Sequence, residues 1–162
     1  MASEDIPANG HGGSANPSSD TQNLKNSLRQ ELRKRRQQFV INRENLILEA
    51  PAQVCDRFVS CLRGAPVVAS YAPERSEADP SFLAGLALAS GCIIALPATS
   101  SRVAPLVFRR ADAQHPLERS PLGFLQPPEA APELEPDLIL APLVGFAGAM
   151  HRLGQGAGHY DL

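Results

Sequence analysis

From Thr21 the hydrophobic positions keep a helical rhythm. In "LKNSLRQELRKRRQQF", Leu24, Leu28 and Leu32 recur every fourth residue and predict a stripe along one helix face. Lys25, Arg29 and Arg33 form a parallel basic stripe beside it, and Arg36 continues the line. Four residues advance a helix by slightly more than a turn, so neighbouring members of that stripe point the same way. A second helical stretch, Asn42 to Leu62, carries Leu46, Ala50, Val54, Phe58 and Leu62 at the same step. Pro51 inside it predicts a kink or a division.

Beyond Leu62 the apolar runs shorten. "PVVASYAP", "CIIALP" and "PLVFRR" read as short strands, and "DPSFLAGLALASG" as a helix between the first two. Asp79 is placed as its N-cap, Pro80 at its first position and Gly91 just past its end. Ser120 to Pro136 is rich in Pro and Glu and predicts an irregular loop. "DLILAPLVGF" is nearly continuous in apolar residues, as a strand buried on both faces would be. Alternating helices and short apolar strands predict an α/β fold, a three-layer sandwich with a largely parallel sheet and helices on both faces. There is no internal repeat.

The opening "MASEDIPANGHGGSANPSSD" is different material, dominated by Gly, Ser, Asn and Pro. It cannot repay the entropy of ordering, so residues 1–22 are expected to be a disordered tail and 23–162 a single domain. The tail lacks both the basic start and apolar centre of a secretory signal and the arginines of a mitochondrial presequence. The 162-residue chain is 43% hydrophobic and 20% charged, the balance of a soluble globular protein. Its net charge of −2 gives no global field toward nucleic acid or membrane, and neither is expected as a partner. No apolar run approaches the roughly 20 residues of a membrane span. Cys55, Cys61 and Cys92 are odd in number and lack metal-ligand spacing, so free core thiols in a reduced, cytoplasmic setting are expected.

In open sheets of this kind, ligands sit beyond the carboxyl ends of the strands. Three polar loops follow strands: "YAPERSEAD" with Glu77, "PATSSR", and "RLGQGAGHYDL", which starts at Arg152. Alternating glycines let main-chain N–H groups approach a ligand closely, the usual way to cradle a phosphate. A dinucleotide fingerprint fails because Gly158 comes one residue early and no strand-to-helix context follows. A Walker A loop fails because His159 and Tyr160 stand where Lys and Ser or Thr are needed. An unclassified phosphate loop survives. The basic stripe of the first helix has two readings, a solvated face or an anion clamp over a polyphosphate. RNA binding is disfavoured by the absence of interleaved aromatics and by the acidic remainder.

Taken together, these segments resemble the 5-formyltetrahydrofolate cyclo-ligase (methenyltetrahydrofolate synthetase) family. "PLVGFAGAMHRLGQGAGHYD", Pro142 to Asp161, is similar to the family pattern P-L-x-x-F-D-x-x-G-x-R-L-G-x-G-x-G-x-Y-D-R. "LKNSLRQELRKRR" resembles its opening helix with a K-x-x-x-R pair at Lys25 and Arg29, and "SYAPERSEAD" its Y-x-P-x-x-x-E-x-D segment. "ALPAT", "PLVFRR" and "PLGFLQPP" follow in the expected order.

The resemblance implies ATP- and magnesium-dependent closure of the imidazoline ring, turning 5-formyltetrahydrofolate into 5,10-methenyltetrahydrofolate. In that chemistry the formyl oxygen attacks the γ-phosphate, N10 closes the ring on the activated carbon, and phosphate leaves. It assigns ATP phosphates to Lys25 and Arg29, and the nucleotide loop to Arg152, Leu153, Gly154, Gln155, Gly156, Ala157, Gly158, His159 and Tyr160. Glu77 is implied in pterin binding, with Ala72 and Tyr160 beside the folate, and Asp161 is implied as the magnesium ligand. A monomer is expected.

Three positions depart from the pattern: Ala147 replaces Asp, Met150 replaces Gly, and Leu162 replaces Arg. Family members also continue for several dozen residues beyond this motif. The domain is therefore expected to be incomplete at its C-terminus, a truncated reading frame lacking the helix behind the phosphate cradle. The alternative to a ring-closing enzyme is a non-catalytic folate- or nucleotide-binding remnant of the same family.

Overall fold

The computed structural model describes residues 17–41, 52–101, 104–148 and 151–156. Helix α1 runs Pro17–Ile41. It begins inside the stretch expected to be a tail, because Pro17 suits a first helical position and Asp20 lies in the positively polarised first turn. Residues 1–16 of the expected tail lie outside the described residues. Helix α2, Ala52–Cys61, starts directly after Pro51, and the predicted stretch before it lies outside the described residues. Of the leucine stripe on α1, Leu32 packs on Gly145, whereas Leu24 and Leu28 stay exposed.

Strand β1 (Val67–Ala69) leads into the loop carrying Glu77, then to helix α3 (Ser81–Ala89) and strand β2 (Ile93–Ala98). The ends of α3 follow the sequence expectation within one residue. Asp79 Oδ1 accepts the Ser81 N–H at 2.9 Å, and Pro80 occupies the N-cap position by backbone angles. At the other end Gly91 takes φ +86°, which lets Cys92 N–H reach Ala87 O at 3.0 Å and Gly91 N–H reach Leu88 O at 3.0 Å. That pair of bonds closes the last turn as a Schellman motif.

Strand β3 (Val107–Arg110) pairs antiparallel with β2, while β1 pairs parallel with β2 and with β6 (Leu138–Ile139). The sheet order is β3-β2-β1-β6, so the fold is α/β with a largely parallel sheet. Consecutive residues Val68 and Ala69 are fully buried, which requires cover on both faces of the central strand. On one face Phe58 and Leu62 from the α2 end and Ala87 from α3 pack with Val68, Cys92 and Ile94.

Two segments differ from expectation. "DLILAPLVGF" is not one buried strand: β6 is a short edge strand whose Ile139 is 44% exposed. Its ladder to β1 runs from Asp137 N–H to Leu140 N–H, and Pro142, lacking an N–H, follows soon after. The remainder forms β7 (Gly145–Phe146), in an antiparallel hairpin with β8 (Arg152–Leu153). The stretch from Ser120 to Pro136 is also less irregular than predicted. Strands β4 (Glu118–Arg119) and β5 (Leu125–Gln126) pair there, and Glu133 bridges Arg109.

Candidate functional site

The β7–β8 hairpin carries the glycine segment to the basic face of α1. Arg29 Nε donates to Gly154 O at 3.0 Å, and its other arm donates to Asn26 Oδ1 at 2.8 Å. Four residues on, Arg33 Nη2 donates to the carbonyl of Gln155 at 2.7 Å and to its side-chain oxygen at 3.1 Å. Arg36 lies a further turn along and donates to Leu143 O at 3.2 Å and Ser76 Oγ at 3.3 Å. Arg33 and Arg36 line one wall of a cleft, and Arg29 lies one turn before them on the same helix. Among the described residues none of these three has a carboxylate partner: each spends its donors on neutral oxygens, leaving net positive charge.

The opposite wall is the loop after β1. Glu77 N–H donates to Glu74 O, and Glu74 N–H donates to Glu77 Oε2, both at 3.0 Å, so the carboxylate folds back over its own turn. Arg75, inside that turn, adopts φ +53°, an uncommon conformation for a residue with a Cβ. Tyr71 braces the loop by donating its hydroxyl to Ala78 O at 2.8 Å. Partial burial raises the Tyr71 phenol above its ordinary pKa, and the neighbouring Glu77 carboxylate pushes the same way. The two walls meet where the Gln155 side-chain amide donates to Glu77 Oε1. The cleft has a volume of about 910 Å³, and its lining includes the polar Arg33, Arg36, Ser76, Glu77 and Gln155 and the apolar Val40 and Ile41.

Of the residues singled out in the sequence, Arg29 meets Gly154, and Gln155 meets Glu77. Lys25 is exposed on α1 one turn before Arg29 and makes no hydrogen bond among the described residues. Arg152 and Leu153 are half-buried in β8, where they hold the hairpin, with Leu153 O accepting from Val144 N–H at 2.8 Å. Ala72 is half-buried at the start of the Glu77 loop. Ala157, Gly158, His159, Tyr160 and Asp161 lie outside the described residues. Arg33, Arg36 and Ser76 were not assigned to the site from sequence. The signal for both arginines was present, since they continue the Lys25–Arg29 stripe by one and two turns. Ser76 had none.

The glycine segment is shaped for close approach. Gly156 has φ +102°, and a Cβ there would stand 3.3 Å from Arg29 Nε. Small residues, uncompensated guanidinium groups and a carboxylate opposite them suit a ligand with an anionic end and a hydrogen-bond-donating end. Among the described residues no three His, Cys, Asp or Glu side chains gather to hold a metal. Among the described residues no helix is long and apolar enough to cross a membrane.

The model of the 5-formyltetrahydrofolate cyclo-ligase family matches residues 21–162. No curated protein matches the chain. Among solved structures, a 5,10-methenyltetrahydrofolate synthetase from Aquifex aeolicus is 25% identical with a TM-score of 0.58, covering 85% of this chain and 70% of its own. A 5,10-methenyltetrahydrofolate synthetase from Mycoplasma pneumoniae is 20% identical with a TM-score of 0.51, covering 85% and 74%.

Proposed function

Because the chain belongs to the 5-formyltetrahydrofolate cyclo-ligase family, a family of ligases, we propose that it closes 5-formyltetrahydrofolate to 5,10-methenyltetrahydrofolate at the expense of ATP. One observation carries the proposal beyond family membership: Arg29 and Arg33 of the opening helix lie on Gly154 and Gln155 of the terminal glycine segment. Two motifs about 125 residues apart in the chain thereby meet, setting guanidinium groups beside a segment whose glycines admit a close-lying phosphate.

The chemistry asks little covalent work of the protein. The formyl oxygen of the substrate attacks the γ-phosphorus and ADP leaves. N10 then bonds to the activated formyl carbon, its proton departs, and phosphate leaves with the original oxygen. An amide oxygen is a weak nucleophile, so the rate depends on holding it in line and on neutralising charge at the transferring group. Arg29 and Arg33, with Lys25 one turn earlier, supply that positive charge. Glu77 is the acceptor for the amino-pyrimidine edge of the pterin, and Val40 and Ile41 offer apolar surface to the rest of the folate.

Magnesium would offset charge on the triphosphate. Mg²⁺ is commonly bound through one or two carboxylates together with substrate phosphates, so the described residues need not form a cage of their own. Asp161 is the acid to serve as its protein ligand. The enzyme acts on soluble small molecules in the cytoplasm, as a monomer, and without nucleic acid.

The test is the appearance of methenyltetrahydrofolate absorbance from 5-formyltetrahydrofolate, ATP and Mg²⁺ with purified full chain. Product should form only with all three, and Glu77→Gln should raise the folate KM at least tenfold, about 1.4 kcal/mol, with the ATP KM little changed. Saturable binding of both ligands with no turnover would replace the ligase with a binding protein. Equal loss of both substrates in Glu77→Gln would remove the carboxylate from its assigned role.

A further inference from the structure

Gln155 holds both walls of the cleft at once. Its amide N–H donates to Glu77 Oε1. Its side-chain oxygen accepts from Arg33 Nε at 3.3 Å and Nη2 at 3.1 Å, and its backbone carbonyl accepts from the same Nη2 at 2.7 Å. The other oxygen of Glu77 accepts the Glu74 N–H at 3.0 Å. Both oxygens of this carboxylate are therefore engaged within the protein. The donor on Oε1 is a carboxamide NH₂, the same chemistry that an amino-pyrimidine edge presents. Gln155 occupies the seat that a pterin amino group needs.

We propose that Gln155 is a positioning residue that couples the two substrate sites, closing Glu77 to folate until nucleotide draws Arg33 away. The proposal rests on the assignment above of Glu77 to folate and of the arginine stripe to ATP. Arg33 is exposed, and its bonds to Gln155 all end on neutral oxygens. A phosphate oxyanion is the stronger acceptor for a guanidinium, because the bond is then charge-assisted on both sides. Once Arg33 turns to phosphate, Gln155 loses the contacts that press it on Glu77. The carboxylate then exchanges one neutral amide donor for the paired donors of a pterin. Bound ATP favours folate binding, and by thermodynamic reciprocity bound folate favours ATP by the same factor.

The experiment measures the dissociation constant of 5-formyltetrahydrofolate with and without a non-hydrolysable ATP analogue plus Mg²⁺, on the full chain. In wild type the analogue should tighten folate binding roughly tenfold. In Gln155→Ala, folate should bind nucleotide-free protein several-fold tighter than wild type does, and the effect of the analogue should shrink below about twofold. Gln155→Asn retains the amide but is too short to span both partners, and should behave as the alanine variant does. A structural role for Gln155 predicts the opposite, weaker folate binding with or without the analogue, and that result would overturn the proposal. So would saturable binding of both ligands by wild type with no coupling between them. Wild type that bound neither ligand would instead strike the substrate assignment itself.

Discussion

Gly156 shows how much of the site rests on a single backbone angle. At φ +102° an L side chain is strained whatever the space around it, and here the added carbon would also press on the guanidinium of Arg29. Gly156→Ala should cost roughly 1–2 kcal/mol of stability and raise the ATP dissociation constant about tenfold, both readable by calorimetry. Arg29 lies against Gly154, in two segments that the family resemblance, and not spacing alone, implied at one nucleotide. The roles of Arg33 and Arg36 were half-legible: the stripe that contains them was visible, but nothing in it says where along a helix a loop will cross. Gln155 was named as part of the glycine segment. Its bond to Glu77 was not readable, because it depends on two loops from distant parts of the chain facing each other.

Elements were legible where local chemistry decides them. Helix α3 carries both of its stops in sequence, Asp79 before it and Gly91 after it. The Ser81 hydroxyl, followed by the Ser81 amide, holds the Asp79 carboxyl below the ordinary carboxylate value. A depressed folded-state pKa adds stability above the unfolded-state value and loses it as pH falls through the folded one. Asp79→Ala should therefore destabilise the protein by about 1 kcal/mol near neutral pH. The gap to wild type should close in acid, as followed by urea unfolding across pH. The start of α1 was misplaced because a polar, Ser-rich composition outweighed the helix-starting geometry of Pro17. "DLILAPLVGF" was misread because apolar content alone does not distinguish a central strand from an edge strand and a hairpin. Pro142 marked the division.

At the scale of the molecule, stability and site chemistry occupy different regions. The buried cluster of Phe58, Leu62, Val68, Ala87, Cys92 and Ile94 lies on the side of the sheet covered by α2 and α3, while the cleft lies between α1, the Glu77 loop and the glycine segment. Phe58→Ala should cost about 3–5 kcal/mol. Phe146, 83% exposed in β7, should tolerate the same change within about 0.5 kcal/mol. Denaturant midpoints of the two variants measure the contrast, and similar losses would show that the hairpin contributes to the core. The α/β class was predictable because alternating apolar runs and helices admit few other arrangements. The position of the cleft needed the sheet order as well as the elements.

The placing of β1 between β2 and β6 has a kinetic consequence. Amide protons at Val68 and Ala69, bonded into the centre of the sheet, should exchange with deuterium only as fast as the whole domain opens. Those of the exposed α1 wall should exchange by cheaper local excursions. The strand that roots the Glu77 loop would then stay fixed while the opposite wall breathes, and ligands could enter and depart with the scaffold intact.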